Sequence, residues 1–238
     1  MLLCKKDFSL FSNRLSLFDI QEKCLKFKYI ELEKKGMNEK EILVQYLPPE
    51  AVDPVYHWII RYKIHLRITR NRSSKLGDYR PPGQQPYHRI SINYDLNPYA
   101  FLITFVHELA HLVTFKKHGS NCQPHGTAWK ANYRQLLHII LEKNIFPPDL
   151  EIEVNDHLQH IRASSHADLD LTRVLHTYDK QKENRVEDLK TGDVFLFQSQ
   201  RKFLLLSKAR TRYKCRELAT NKIYLFHALT PVLPLVDE

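Results

Sequence analysis

Apolar positions change period several times along the chain, and each change predicts an element. Over residues 19–47 they recur at helical spacing (Ile30 with Met37, then Ile42, Leu43 and Tyr46) in a stretch rich in Leu, Lys and Glu, and Pro48 and Pro49 read as its stop. A second helix is expected from about Pro54, a good first-turn residue after Asp53, through Trp58, Ile59 and Tyr62. The period then falls to two: Ile64, Leu66 and Ile68 alternate with His65, Arg67 and Thr69, the mark of a strand. Residues 73–78, with Gly77, read as a turn. Tyr79 and Arg80 start a short strand that Pro81, Pro82 and Gly83 close, and residues 89–93 alternate as a third strand.

Asn97 before Pro98 is a helix start, a side-chain oxygen to cap free amides followed by a residue with a fixed helical dihedral. That helix should run to about His118, with Gly119 ending it, and should bury Leu102, Ile103, Val106, Leu109, Ala110 and Val113 against the three strands. Thr127 is placed to cap the next helix, whose stripe of Trp129, Tyr133, Leu136, Leu137, Ile140 and Leu141 ends at Pro147 and Pro148. Residues 150–190 are polar and acidic, with one short helix expected over 168–178. From Val194 the pattern is β, in four short runs at 194–197, 202–207, 213–219 and 223–227. The reading is an α+β protein with a helical extension (1–39), a mixed domain (40–150), an acidic connector (151–190) and a small all-β subdomain (191–238).

Composition narrows the class. With 238 residues, 43% apolar, 26% charged, 6 Gly and 12 Pro, collagen-like and low-complexity readings fall away. The first apolar stretch is broken by Lys5, Lys6, Asp7, Asn13 and Arg14, so neither a signal peptide nor a membrane span is expected. Cys4, Cys24, Cys122 and Cys215 stand far apart, which fits free thiols in a reducing, cytoplasmic setting. The net charge of +9 is uneven: residues 55–92 carry eight Lys or Arg against Asp78 alone, and residues 201–222 eight against Glu217 alone. Two basic segments flanking an acidic one make nucleic acid the first partner to consider, set against cations that merely solvate exposed faces.

Chemistry enters at His107-Glu108-Leu109-Ala110-His111. On a helix, residues four apart share a face, so two imidazoles can meet one tetrahedral metal ion while Glu108 stands beside it as a base. A catalytic zinc needs a third protein ligand and an open position. His118, Cys122, His125 and His138 are the candidates. His125 fits best, because Gly119 breaks the helix and a loop returns before His125-Gly126-Thr127 opens the next one; Gly126 would let the backbone approach the metal. Cys122 stays open as a ligand, in a C-x-x-H pair that would mark a structural site.

The pair of motifs, His107-Glu108-Leu109-Ala110-His111 and His125-Gly126-Thr127-Ala128-Trp129-Lys130, resembles the SprT-like metalloprotease family, which includes the Spartan proteases. Ser74-Lys75-Leu76-Gly77-Asp78-Tyr79-Arg80 and Ile90-Ser91-Ile92-Asn93 also match its style, so the likeness covers roughly residues 40–145. The resemblance implies a zincin-like fold of minigluzincin type, one zinc ion on His107, His111 and His125, Glu108 as base, and, for Spartan, cleavage of proteins crosslinked to DNA. Bacterial members, to which the likeness is closer, often carry a C-terminal zinc ribbon with paired cysteines, which this chain lacks.

The function expected is therefore a zinc endopeptidase acting on protein or peptide substrates, with DNA-associated proteins first among them. The alternatives are a zinc peptidase on other proteins and a nucleic-acid-binding adaptor whose metal site is structural. An extended peptide is expected to add to the edge of the three-stranded sheet beside Tyr79 and Arg80. For nucleic acid, Arg210, Arg212, Lys214 and Arg216 alternate along a β run and would share a face, with Tyr224 and Phe226 near for stacking. No membrane partner is expected.

Overall fold

In the computed structural model the described residues are 39–72, 75–161, 168–198 and 200–235. The described residues from Leu43 on belong to one compact unit. Most of the helical stretch expected over 19–47 lies outside the described residues; its described end holds a helical turn, Glu39–Leu43.

Helix α1 is Pro49–Tyr62. Pro48 and Pro49 begin this helix rather than stop the one before, because the first helical position needs no amide and a proline there is already at the helical φ. Pro54, expected at its start, sits inside it, where only the carbonyl of Glu50 loses an amide partner. Lys63 ends it in the left-handed region at φ 51°, turning the chain straight into β1, Ile64–Thr69.

β2 (Gly77–Arg80) and β3 (His88–Asn93) complete a sheet of order β1-β3-β2. β3 is central, parallel to β1 and antiparallel to β2, so β2 is an edge. Asn93 donates its amide to the carbonyl of Leu76. The alternating ladder therefore points the amides of Gly77 and Tyr79 away from β3, along the free edge.

Helix α2, Pro98–His118, starts where expected: the Asn97 side chain accepts the Ala100 amide at 2.9 Å. It is buried on nearly all sides instead of along one stripe. Ile90, Ile92, Phe101, Leu102, Phe105 and Leu109 are all fully buried in one core with it. By length and composition Pro98–Asn121 is apolar enough to cross a membrane, but 67% of its most apolar 18-residue stretch is buried inside the protein, which accounts for its apolarity.

Gly126, not Thr127, is the residue before α3, Thr127–Leu141. Next comes a helix that the polar reading of residues 150–190 missed: α4, Pro148–Gln159, packs Leu150, Val154 and Leu158 into the main core. As at Pro49, Pro148 opens a helix where a stop was expected. α5, Leu169–Thr177, is capped by Asp168. It is tied to the head of α2, since Asn97 Nδ2 donates to the carbonyl of Leu175 at 2.8 Å and to Asp179 at 2.7 Å.

The C-terminal strands are β4 (Val194–Phe197), β5 (Arg201–Lys208), β6 (Arg212–Glu217), β7 (Ile223–His227) and β8 (Leu233–Leu235). They form an antiparallel sheet of order β7-β6-β5-β4-β8, one strand more than the sequence pattern predicts. Its inner face holds a separate small core built on Phe195, Phe203, Leu205, Tyr213, Cys215 and Phe226.

Candidate metal centre

His107, Glu108 and His111 come from the middle of α2, and His125 from the turn before α3. That turn is tight. His125 stands at φ 55°, a left-handed value that costs a non-glycine residue energy, and a β-carbon on Gly126 would come within 3.0 Å of the carbonyl oxygen of Gln123. Gly126 thus admits the turn that carries His125 inward.

The three Nε2 atoms lie 3.0 to 3.3 Å from one another. Hydrogen bonds cannot account for the whole triangle: a neutral ring is either donor or acceptor at Nε2, so three such atoms cannot satisfy all three contacts. One shared ion can. Nitrogens about 2.0–2.1 Å from a tetrahedral metal are about 3.3–3.4 Å apart, close to the spacing found. The rings also hold the protonation state a metal needs. Burial first, then the neighbouring imidazoles, push His107 down to about 3 and His111 to about 4. Burial and then Lys130 lower His125 as well. Neutral imidazoles at neutral pH are ready-made ligands.

Among the described residues this trio is the group placed to hold a metal ion. Cys122 is half-buried and donates no atom to it. His118 and His138 are exposed and also stay out.

Glu108 is 7% exposed. Burial, then the charge of Asp78, pushes its carboxyl up to about 8, while the Tyr79 amide donates to it and partly offsets the rise. Gly77 is what makes room: a β-carbon there would fall 2.7 Å from Glu108 Oε1 and 2.8 Å from Thr104 Cγ2. The loop into Gly77 is pinned by buried Asn93, which accepts from Arg72 Nε at 2.8 Å and donates to the carbonyls of Arg72 and Lys75.

Beneath the imidazoles lies Trp129, its ring 4.7, 5.2 and 4.6 Å from those of His107, His111 and His125. Tyr133 stacks under Trp129, and the edge of His157, bonded to Asp168 at 2.8 Å, meets Tyr133. Sequence reasoning placed Trp129 and Tyr133 only in a core stripe and missed His157 and Asp168, which lie in the stretch it took for a connector. The spacing of Leu150, Val154 and Leu158 was the signal available for that helix.

The basic run of the C-terminal sheet is only partly gathered. Arg212, Lys214 and Arg216 share the outer face of β6, and exposed Arg210 precedes them in the turn. Tyr224 is not beside them. It pairs with Cys215, so it points to the inner face, where it meets Phe203 edge-on with Arg201 above its ring; Phe226 is buried there too. Strand alternation puts the two aromatics on the side opposite the cations, so the expected stacking surface is not formed.

No curated protein and no solved structure matched this chain. A family model did: residues 54–156, which begin within α1, end within α4 and include His107, Glu108, His111 and His125, match the SprT-like family.

Proposed function

We propose that this protein is a zinc-dependent endopeptidase. The observation that carries the reading is the convergence of three neutral imidazole nitrogens beside a buried carboxylate that lies against the free edge of a sheet. His107, His111 and His125 would hold the ion. A bound zinc supplies Lewis acidity to the scissile carbonyl and lowers the pKa of a water to about 7. Glu108, whose carboxyl is raised to about 8 when no cation stands beside it, takes up a proton from the attacking water and returns it to the leaving amine. A peptide laid as an added strand on β2 meets the outward amide of Gly77 and the outward carbonyls of Gly77 and Tyr79, which grip main chain whatever its sequence, while the Tyr79 amide stays with Glu108.

DNA-associated proteins are the substrate class we favour. The outer face of the first sheet carries a row of basic side chains across its strands, with Arg89 between His65 and Arg80 and with Arg67 one row on. Asp78 on the same face is taken by Arg80 at 2.9 Å and Lys75 at 2.7 Å, while Arg67 and Arg89 make no ion pair among the described residues, so the row keeps a surplus of positive charge. Arg80 belongs to β2, so a polyanion held there would bring its attached protein to the cleavage edge.

The test is cleavage of casein, and of a DNA-crosslinked protein, by the zinc-loaded chain. Activity is expected to vanish with chelator and with Glu108→Gln, while the variant keeps its metal. An active Glu108→Gln protein would remove Glu108 from the role of base, and a wild type with one tightly bound zinc and no cleavage of either substrate would favour the structural-metal adaptor.

A further inference from the structure

An antiparallel sheet with one face on solvent normally shows polar residues there. The outer face of the C-terminal sheet is mixed instead, with large apolar residues beside a basic run. Register and burial together fix which residues face out: Ile223 and Leu225 on β7, Leu204 on β5, Leu196 on β4 and Leu233 on β8. Ile223, Leu225 and Leu233 are 55%, 54% and 60% exposed, among the most exposed large apolar residues described. Large apolar residues gathered at such exposure on one face mark a surface built to be covered.

Charge narrows the cover. Arg212, Lys214 and Arg216 form a basic stripe between apolar flanks, no outward position in the five strands is acidic, and none of the three has an ion-pair partner among the described residues. The Nε of Arg216 is buried without a hydrogen bond. The occupant is therefore anionic and also aliphatic. Nucleic acid satisfies the first condition only, because base stacking wants aromatic faces and this sheet turns its aromatics inward.

The chain carries a patch of the required kind. Helix α4 buries Leu150, Val154 and Leu158 and turns Asp149, Ile152, Glu153 and Asp156 the other way, with Ile152 67% exposed. Acidic groups crowd there: the Glu153 carboxyl is raised by partial burial and then by Asp170, Asp156 and Asp168. Neither Glu153 nor Asp156 has an ion-pair partner among the described residues. Cations two apart on a strand are about 7 Å from each other and Glu153 and Asp156 about 4.5 Å along a helix, a difference that the long Lys and Arg side chains span.

We propose that the outer face of the C-terminal sheet docks a second copy of this chain through the acidic face of α4, with Ile152 seated among Ile223, Leu225 and their neighbours. The contact joins unlike patches, so two copies that each offer both close a dimer, and otherwise association continues head to tail.

Sedimentation velocity of the full chain over a range of concentrations and salt tests this. Self-association that weakens with salt is expected. Lys214→Glu with Arg216→Glu should raise the dissociation constant about tenfold or more, and so should Glu153→Lys with Asp156→Lys on the opposite patch. All four changes in one chain should restore association, an outcome that misfolding of either pair could not produce; thermal melts check that each variant is folded. A monomer at every concentration, or association that neither charge reversal weakens, overturns the proposal. So does a single-stranded oligonucleotide that binds the wild type and is lost on reversal of Lys214 and Arg216 while self-association is unchanged.

Discussion

Gly77 lies against Glu108 so closely that a β-carbon there would fall 2.7 Å from Oε1 of the carboxylate. The edge strand proposed to receive substrate thus also sets the position of the proposed base, through one missing methyl group and through the Tyr79 amide.

Gly77→Ala should accordingly displace Glu108 without touching the imidazoles. Since a misplacement of about 1 Å can cost about 100-fold in rate, kcat should fall by about one to two orders of magnitude with KM changed far less. Zinc affinity, read by chelator competition, should stay within about threefold of the wild type, because no ligand moves. A variant with unchanged kcat would remove Gly77 from the positioning of the base.

Trp129 touches all three imidazole rings, with Tyr133 stacked beneath it. Trp129→Leu should loosen the ring positions and weaken zinc binding about 10–100-fold, the range found when groups supporting metal ligands are removed. Melting of the metal-free variant should show a loss of about 2–4 kcal/mol from the cavity left in a fully buried site. Unaltered zinc affinity in a folded variant would reduce Trp129 to a core residue.

Much of this site was legible because its signals are local. Asn97, Pro98 and Gly119 bracket α2 through capping chemistry that needs no distant partner, and the helical spacing of His107 and His111 then follows. His125 was reachable by counting the loop. What escaped depends on tertiary contact. Nothing near Gly77 in sequence says that Glu108, thirty-one positions on, will press against it. Pro48-Pro49 and Pro147-Pro148 both read as stops, yet both open helices, because a proline excludes the interior of a helix and suits its first turn, and only what packs downstream decides between the two. Residues 150–190 looked like a connector because their charges outweigh the three apolar residues with which α4 is anchored.

Asn97 performs two tasks. Its side chain is 4% exposed; the oxygen caps α2, and the nitrogen donates to the carbonyl of Leu175 in α5 and to Asp179 just beyond it. Asn97→Ala should destabilise the chain by about 2–3 kcal/mol, a cap of about 1 kcal/mol plus carbonyl and carboxylate groups left without their donor. Replacement by aspartate keeps the cap and loses the donor, and it sets a second carboxylate against Asp179. Asn97→Asp should therefore recover less than half of the loss at neutral pH in urea titration. Full recovery would show that the tie to α5 contributes nothing.

The metal-free chain should carry a pH signature of Glu108. Burial raises this carboxyl from 4.5 to about 8, so between those values the folded chain holds a proton that the unfolded chain has released. Stability from this group is fully present below about pH 4.5 and is lost as pH rises toward 8. His107 and His111 act with the opposite slope: their folded values, about 3 and about 4, lie below 6.5, so the unfolded chain binds more protons and stability is lost as pH falls below about 6.5. Comparing wild type with Glu108→Gln cancels the histidine contribution and leaves the carboxyl alone. With chelator present, the stability of Glu108→Gln relative to wild type should increase steadily from about pH 4.5 and level off near pH 8, by roughly 3–5 kcal/mol in all. A difference that does not vary with pH would mean that Glu108 is ionised and well solvated in the folded metal-free chain, contrary to its place between Gly77, Thr104 and the Tyr79 amide.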